Sequence, residues 1–442
     1  MNIVLLSGGS GKRLWPLSNE IRSKQFLRLF RTEQGYESMV QRVYRQLVNV
    51  DSDCTITIAT SRAQVSSIHN QLGDKVGISL EPCRRDTFPA IALACAYLHD
   101  IQGVGTDEPV VVCPVDPYVQ EDYFAMLKAL GEQADRGEAN LVLMGIAPLF
   151  PSEKYGYIIP EQMSAVSAVC CFKEKPAEAV AREYIRQGAL WNGGVFAFRL
   201  RYVLDIAQRL LGSREYRWLY SHYAELPKIS FDYAVVEKES SIQVMRYMGQ
   251  WMDLGSWNTL TDAMSDQLIG NAYADETCQN VHIINELDVP ILAMGLKNAV
   301  ISASPDGILV ADKDRSGYLK DYVDRFSDGE VRFAEKSWGD FRVIDAGPDS
   351  LTIHVNIRAK DHMNYHSHDH RDEVWVITSG RGRTIVDGVE CEVGPGDVIL
   401  MKAGCRHTIH ALTDVDLIEV QLGKEISAHD KHKHPMGQFV PL

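Results

Sequence analysis

The feature that most constrains the fold is an alternation of short apolar strands with helical segments in the first part of the chain. The pattern predicts strands over 2–6, 54–60, 76–80 and 109–114, and helices over 38–49, 62–72 and 89–99. This alternation indicates an α/β fold whose mainly parallel sheet is covered on both faces. Ligands of such sheets bind beyond the carboxyl ends of the strands, so we expect a site in the loops after Leu6, Leu80 and Cys113.

The pattern changes after about residue 265, where helical spacing gives way to short β-like runs with glycine turns. Residues 275–325 predict a small, all-β module, and the regular short strands from Trp338 onward predict a β-barrel or sandwich. We therefore predict an α/β domain over 1–265, a small β-rich linker module over 266–335 and a C-terminal β-barrel over 336–442.

Composition narrows the class of protein. A chain of 442 residues suits two or three domains. Its net charge of −14, without a Lys/Arg-rich block, argues against a nucleic-acid or anionic-membrane partner. No stretch approaches the ~20 apolar residues of a membrane span, and Ile3–Leu6 is too short for a signal-peptide core. The nine cysteines form no CxxC pair, which favours reduced thiols in a cytoplasmic protein.

A glycine-rich loop, Leu-Ser-Gly-Gly-Ser-Gly-Lys-Arg, runs from the end of the first strand to Arg13. Its glycines are Gly8, Gly9 and Gly11. Glycines allow a tight turn that brings backbone N–H groups against a phosphate. The loop is not a Walker motif, and such a turn alone is often only structural. Arg13 and Lys24 add two cations close to it in sequence, which suits a triphosphate whose charge shifts during transfer.

Several segments, taken together and in order, resemble the mannose-1-phosphate guanylyltransferases, a family of sugar-phosphate nucleotidyltransferases. The matching segments are Gly8-Gly9-x-Gly11-x-Arg13-Leu14-Trp15-Pro16-Leu17, Lys24-Gln25-Phe26, Glu81-Pro82-x-x-Arg85-Asp86-Thr87, Pro114-Val115-Asp116, Tyr155-Gly156-Tyr157-Ile158, Phe172-x-Glu174-Lys175-Pro176, Trp191-Asn192-x-Gly194-x-Phe196, Asp232-Tyr233-Ala234-x-x-Glu237-Lys238 and Trp251-x-Asp253-x-Gly255-Ser256-Trp257. The resemblance covers 1–265 closely and implies a Rossmann-like, mainly parallel nucleotidyltransferase sheet.

The resemblance also implies a reaction, in which a sugar 1-phosphate attacks the α-phosphorus of a nucleoside triphosphate and pyrophosphate leaves in line. GTP and mannose 1-phosphate, giving GDP-mannose, are the expected pair. Asp116 and Asp253 would hold Mg²⁺, while Arg13 and Lys24 would neutralise charge on the triphosphate and the pyrophosphate. The implied nucleotide-binding residues are Leu6, Gly8, Gly9, Gly11, Glu81, Arg85, Asp86 and Thr87. The implied sugar-phosphate residues are Gly156, Glu174, Lys175, Asn192 and Asp232.

These assignments depend on the motifs together, because a lone Asp in a turn more often forms or caps that turn. Some positions depart from the family pattern. Asp86 stands where the family usually has Asn, Phe88 where it has Ala, and Glu153-Lys154 where it commonly has Thr-Gly. The departures leave the base and the sugar open, so transfer to another sugar 1-phosphate is an alternative.

Histidines cluster near the C-terminus, where nine of the 14 lie after residue 361. His366-x-His368-x₄-Glu373, followed by His407, resembles the metal motifs of the cupin barrel. Residues i and i+2 of a strand share a face, so His366 and His368 face inward together. Three imidazoles and a carboxylate suit a divalent transition metal such as Zn²⁺. Without this spacing, a His-rich β segment would more often be surface.

The cupin also resembles type II phosphomannose isomerases, which implies interconversion of mannose 6-phosphate and fructose 6-phosphate as a second activity. That pattern has Arg-Leu-Glu-Asn where this chain has 408–411, Thr-Ile-His-Ala. The change removes acid/base and phosphate-binding groups, which favours a cupin kept for dimerisation or structure. We expect a homodimer. A non-catalytic sugar-nucleotide sensor is less favoured, because such a protein needs neither the metal carboxylates nor the leaving-group cations.

Overall fold

The computed structural model describes residues 1–8, 12–19, 21–326, 331–427 and 429–435. The chain forms two compact units. The first comprises Met1–Ser10 and Ser23–Ser265, and the second comprises Gly11–Arg22 and Asp266–Leu442. The second unit thus includes a short piece of the N-terminal signature, which the sequence pattern does not indicate.

The first unit is an α/β domain. Its strands are β1 (Asn2–Leu6), β2 (Arg28–Thr32), β3 (Gly35–Ser38), β4 (Thr55–Ser61), β5 (Gly77–Glu81), β6 (Pro109–Pro114), β7 (Pro117–Val119), β8 (Leu141–Ile146), β9 (Gly156–Pro160), β10 (Val166–Lys173), β11 (Leu190–Arg199), β12 (Ile242–Tyr247) and β13 (Trp251–Asp253). Its helices are α1 (Met39–Val50), α2 (Val65–Leu72), α3 (Thr87–Asp100), α4 (Glu121–Arg136), α5 (Glu178–Arg186), α6 (Leu200–Leu211), α7 (Tyr216–Ser221), α8 (Phe231–Ala234) and α9 (Trp257–Ala263).

One nine-stranded sheet organises this unit, in the order β5-β4-β1-β6-β11-β8-β12-β10-β9. The strands β5, β4, β1 and β6 are parallel, as the sequence pattern predicts. Strand β11 is antiparallel to both β6 and β8, so the far half of the sheet is mixed. The central strands β6 and β8 are buried because helices cover both faces. The predicted α/β class is confirmed.

Local sequence explains where the elements begin. Helix α1 starts at a capping box, in which the Ser38 hydroxyl accepts a hydrogen bond from the Gln41 N–H and the Gln41 side chain accepts one from the Ser38 N–H. Helix α3 is apolar on nearly all sides, and residues 88–96 are buried between the sheet and α6, α7 and α8. None of the described helices is both long enough and apolar enough to span a membrane.

The second unit is mostly β. Its strands are β14 (Leu268–Ile269), β15 (Ala272–Ala274), β16 (His282–Asn285), β17 (Ile291–Ala293), β18 (Ala299–Ser304), β19 (Gly307–Asp312), β20 (Phe333–Lys336), β21 (Gly339–Gly347), β22 (Ser350–Ile357), β23 (His366–Ser367), β24 (Asp372–Ser379), β25 (Gly382–Val386), β26 (Val389–Val393), β27 (Val398–Met401), β28 (His407–Ala411), β29 (Val415–Leu422) and β30 (His432–Lys433). It also contains helix α10 (Leu319–Phe326).

The linker region is therefore not all-β, which corrects the expectation for 275–325. Helix α10 is short, and Val323 is its buried anchor, with 1% of its surface exposed. Lysine, aspartate and arginine residues surround that anchor, so the helical period is hard to recognise from sequence. Strands β14, β16 and β18 are parallel, and β19 returns antiparallel to β18.

The predicted cupin barrel is present as two sheets. They have the orders β20-β21-β22-β29-β24-β27 and β26-β25-β28-β23-β30. Residues along β24 alternate in burial, and Glu373, Trp375 and Ile377 point inward. Trp375 is fully buried in the barrel core.

Candidate functional site

Two predicted metal ligands meet at the carboxyl end of β6. Asp116 lies just after β6, and Asp253 ends β13 in register with Pro117 of β7. Lys24 Nζ lies 2.8 Å from Asp116 Oδ2 and 3.7 Å from Asp253 Oδ1. The same ammonium donates to the Leu254 carbonyl at 3.1 Å. A protein cation thus sits among oxygen atoms of the kind that Mg²⁺ prefers, so the donor set fits this ion.

The glycine-rich loop begins beside this turn. The Leu6 carbonyl accepts a hydrogen bond from the Val115 N–H at 3.2 Å. Gly8 has open space where a side chain would start, which leaves the backbone accessible. Gly9 and Gly11 lie outside the described residues. Arg13 belongs to the second unit, and its side chain is exposed.

The expected base-binding segment lies at the end of β5 and the start of α3. Tyr223 donates to Glu81 at 2.8 Å, and burial raises the pKa of Glu81 against the opposing effect of that hydrogen bond. Asp86 has a φ of 69° and accepts from the Thr87 N–H at 2.8 Å, which caps α3. The Arg85 Nε is buried and has no hydrogen-bond partner among the described residues, so this donor is available to a ligand.

Two neighbours in this segment serve the core. Thr87 Oγ1 accepts from the Phe231 N–H at 2.8 Å, so its side chain ties α3 to α8. Phe88 is 1% exposed, and its ring centroid lies 6.4 Å from that of Phe231. Phe88 therefore packs in the core, which gives its departure from the family pattern a structural role.

The five predicted sugar-phosphate residues come together on β9, on β11, on α8 and just after β10. Asn192 of β11 pairs with Gly156 of β9, and the Asn192 amide donates to Asp232 at 2.7 Å. A Cβ on Gly156 would lie 2.5 Å from Glu174 Oε2, so a larger residue there would displace the Glu174 carboxylate. Lys175 Nζ lies 2.7 Å from Glu174 Oε1.

The charges in this group are unbalanced. Burial, followed by the neighbouring Glu174, raises the pKa of Asp232 to about 6. The hydrogen bond to Glu174 raises the pKa of Lys175, which stays protonated. Lys175 also adopts a positive φ of 44°, a strained position that active sites often retain. Two carboxylates and an amide can accept and donate to sugar hydroxyls, while the ammonium suits a phosphate.

Sequence reasoning missed an aromatic cluster next to Asp253. Tyr155 lies 4.9 Å from Trp191 and 5.5 Å from Trp251, measured between ring centroids. Burial and the nearby Asp253 raise the pKa of Tyr155 to about 12. The Trp251 indole N–H is buried without a partner among the described residues. The signal was present in the sequence, because Trp251 and Asp253 share one face of a strand.

The cupin residues form a second, separate cluster. His366, His368, Glu373 and His407 are 2–3% exposed, and their ligand atoms lie within 4.8 Å of one another. The Nδ1 atom of each ring faces a backbone carbonyl. These carbonyls are those of Asn364 at 2.6 Å, Asp430, and Cys405 at 3.0 Å, in the order of the three histidines. A carbonyl only accepts, so each Nδ1 carries a proton and each Nε2 is the ring atom that faces the cluster.

The Nε2 atoms face a carboxylate. His368 Nε2 and His407 Nε2 each lie 3.1 Å from an oxygen of Glu373. Nitrogen and carboxylate oxygen atoms at that distance share either a proton or a cation. Burial lowers the pKa of His366 to about 2, which keeps the ring in its neutral, ligating form. The cluster therefore fits a divalent transition metal, and backbone carbonyls orient its ligands.

Further polar groups in the barrel interior were not anticipated. The Arg371 guanidinium donates to Glu373 at 3.0 Å and to His368 Nε2 at 3.1 Å. Glu419 is 6% exposed and accepts from Gln421, and burial with the nearby Glu373 raises its pKa to about 8. The barrel thus holds an arginine and a second carboxylate, although the isomerase motif that normally supplies such groups is absent.

His432 and His434, which follow the last long strand of the barrel, are held against strand β23. Strand β30 pairs with β23, and His434 Nε2 lies 2.8 Å from the Ser367 hydroxyl. His432 lies 3.2 Å from Asp369, near Asp430. Asp430 accepts from the N–H groups of Asp369 and His370, so it holds the backbone beside the cupin cluster.

Comparison with known proteins assigns a family to the N-terminal α/β segment and another to the C-terminal barrel. The nucleotidyl transferase family profile matches residues 2–269, and the cupin domain profile matches 353–421. The chain is 31% identical to mannose-1-phosphate guanylyltransferase RfbM of Salmonella typhimurium, over 97% of this chain and 95% of that protein. It is also 31% identical to the xanthan biosynthesis protein XanB of Xanthomonas campestris, over 97% and 96% of the two chains.

A solved structure supports the fold. It is described as a mannose-1-phosphate geranyltransferase from Thermus thermophilus, is 32% identical and superposes with a TM-score of 0.62. The match covers 73% of this chain and 98% of that one. With the family profile and the full-length relatives, it shows that this chain is a nucleotidyltransferase that belongs to the mannose-1-phosphate guanylyltransferase family and carries a C-terminal cupin domain.

Proposed function

We propose that the protein transfers a guanylyl group from GTP to mannose 1-phosphate, giving GDP-mannose and pyrophosphate. The observation that carries the proposal is the convergence of Asp116 and Asp253 on the ammonium of Lys24. Two carboxylates that share a cation suit phosphate chemistry, which needs charge neutralisation and alignment more than a covalent nucleophile. The names of the relatives support this base and this sugar.

Each group of residues has a task in this proposal. Glu174 and Asn192 hydrogen-bond the sugar hydroxyls, and Lys175 holds the sugar phosphate against the α-phosphorus. Glu81 and Arg85 face the base and ribose, since guanine offers N1–H and N2–H₂ donors to an acceptor. These roles agree with the buried, hydrogen-bonded positions of Glu81 and Asn192.

Charge on the leaving pyrophosphate is the remaining problem. Mg²⁺ held by Asp116 and Asp253 would neutralise negative charge on the phosphate oxygens. Lys24 is held only by ionic and hydrogen-bond contacts on a flexible stem, so its ammonium is able to follow the triphosphate. Arg13 adds a second positive charge. Together these cations favour the transition state, in which charge moves onto the leaving group.

The alternative is the same transfer with another sugar 1-phosphate, since Lys154 is exposed next to the sugar-phosphate residues in sequence. A non-catalytic sensor is disfavoured because both carboxylates and Lys24 are retained and assembled. The expected homodimer and the divalent metal in the cupin belong to the same proposal.

The direct test is pyrophosphate release in the presence of Mg²⁺. GTP, ATP, CTP and UTP are each combined with mannose 1-phosphate, glucose 1-phosphate and related sugar 1-phosphates. We expect GTP with mannose 1-phosphate to give a kcat/KM at least about tenfold above that of any other pair. A larger kcat/KM for a different pair would support nucleotidyl transfer but show that the proposed substrates are wrong. No pyrophosphate release with any pair would contradict the proposal.

Replacement of Asp253 tests the metal carboxylates. We expect Asp253→Ala to lower kcat by about 10²–10³-fold or more, because one of two anions that hold Mg²⁺ is lost. The variant should keep the thermal unfolding profile of the parent. Asp74→Asn is the matched control, since the Asp74 side chain is 99% exposed, and it should leave kcat unchanged. Unchanged turnover in Asp253→Ala would refute the assignment.

Replacement of His368 tests the cupin metal. We expect His368→Ala to lower the metal content of purified protein, measured by plasma mass spectrometry, by about tenfold or more, and to spare pyrophosphate release. His354→Ala is the control, because His354 lies in β22 outside the cluster and beside Asp416. Equal metal content in both variants would count against the site.

A second candidate activity is favoured by the barrel interior. Arg371 and Glu419 lie near the metal cluster, where an arginine binds a phosphate and a carboxylate moves a proton between adjacent carbons. We therefore propose, as the second candidate, that the cupin interconverts mannose 6-phosphate and fructose 6-phosphate.

The isomerase assay uses metal-loaded full-length protein without nucleotide. We expect Glu419→Gln to lower the interconversion rate by about 10²-fold, because the group that moves the proton is lost. The exposed Glu425→Gln should match the parent. A parent protein with no interconversion would leave the cupin with the structural role expected from its sequence.

A further inference from the structure

A piece of the N-terminal signature is anchored within the second unit, and its contacts begin at Arg22. The Arg22 guanidinium makes two parallel hydrogen bonds to Glu286, from Nη1 to Oε2 at 2.7 Å and from Nη2 to Oε1 at 2.8 Å. The two side chains are 13% and 28% exposed, so the pair is partly shielded from water. A bidentate arginine–carboxylate pair fixes orientation as well as distance.

The turn between β18 and β19 supplies the next contacts. The Ser304 hydroxyl donates to the Pro16 carbonyl at 2.7 Å in a buried setting and accepts from the Asp306 N–H at 3.1 Å. Asp306 accepts from the Asn19 amide at 2.7 Å. Asn19 in turn accepts from the N–H of Arg22 at 2.7 Å. One short turn therefore holds Pro16 and Asn19 directly, and Asn19 in turn holds Arg22.

Packing completes the attachment. Leu14 and Leu17 are 2% and 1% exposed. Gly307 has a φ of 147°, and a Cβ there would collide with the ring of Trp15, so glycine is required for this contact. Arg13 is next to buried Leu14 in the 3₁₀ helix Lys12–Leu14, yet its own side chain is exposed. Burial of its neighbours thus sets the side from which Arg13 projects.

We propose that these contacts form a clamp, made of Arg22–Glu286, Asn19–Asp306 and Pro16–Ser304, that positions Arg13 for the nucleoside triphosphate. The inference rests on the proposed function, in which Arg13 neutralises phosphate charge. Glu286, Ser304 and Asp306 are positioning residues and touch no substrate.

The physical basis is preorganisation. A segment that is not ordered in advance has to be ordered when a ligand binds, and that ordering weakens the binding. Contacts that order the segment beforehand remove this cost. Loss of one clamp contact should therefore act on the triphosphate, whose proposed ligand Arg13 lies in the clamped segment, and much less on the sugar phosphate, whose proposed ligands Glu174, Lys175 and Asn192 lie outside it.

Steady-state kinetics of full-length Glu286→Gln provide the first test. We expect the KM for the nucleoside triphosphate to rise at least about fivefold, and the KM for the sugar 1-phosphate to stay within about twofold. Glu286→Asp should restore part of the effect, because it keeps the charge at reduced reach. Asp288→Asn is the control, since it breaks the exposed pair with Arg342 in the same unit and should change neither constant.

Hydrogen exchange of the peptide that covers 12–22 provides the second test, without substrate. We expect exchange in Glu286→Gln to be about tenfold faster there than in the parent, with the cupin peptides unchanged. If Glu286→Gln fails to fold, Ser304→Ala takes its place, since it removes only the donor to Pro16.

The outcomes separate the two proposals. Faster exchange together with the selective rise in KM supports the clamp. Unchanged exchange, or faster exchange with equal effects on both substrates, overturns it. A parent protein that releases no pyrophosphate with any substrate pair refutes the proposed function. In that case the proposed positioning of Arg13 for a triphosphate is refuted as well, even if hydrogen exchange of the 12–22 peptide is faster in the variant.

Discussion

The pairing of β13 with β7 involves only three residues of each strand, yet the proposed transferase site depends on it. Without this short ladder Asp253 would have no reason to lie near Asp116, because more than a hundred residues separate them in the chain. Two carboxylates brought this close repel each other, and the ammonium of Lys24 offsets the repulsion. In the proposed site, the ammonium of Lys24 thus occupies a position between the two carboxylates that would hold Mg²⁺.

The cupin cluster also brings a buried carboxylate close to other metal-ligating groups. There the carboxylate of Glu373 faces imidazole Nε2 atoms, and backbone carbonyls orient the rings through Nδ1. Arg371 compensates part of the negative charge, as Lys24 does in the first unit. The donor atoms of the two clusters differ. Oxygen alone suits Mg²⁺, whereas imidazole nitrogen with one carboxylate suits a transition metal.

Much of this arrangement could be predicted from sequence, because strand and helix periods are local. Strands β1 and β6 begin and end where the apolar runs do, and the spacing of His366 and His368 places them on one face. Three features could not be predicted. Strand β11 was recognised only as a motif, the helical period of α10 is masked by charges, and Glu286 becomes the partner of Arg22 only through tertiary packing. Such contacts leave no periodic trace in a sequence.

The structure also changes how the departures from the family pattern are interpreted. Asp86 caps α3 through a backbone hydrogen bond, a task that asparagine performs equally well. Glu153 accepts from the N–H of Glu178 at the start of α5, and Phe88 fills the core. Each of these three residues therefore has a structural role in the fold. Lys154 is different, because its side chain is exposed and no described fold contact explains it. Under the proposed function, a lysine beside the sugar-phosphate segment would add positive charge near the acceptor, so Lys154 is the departure that bears most directly on the choice of sugar.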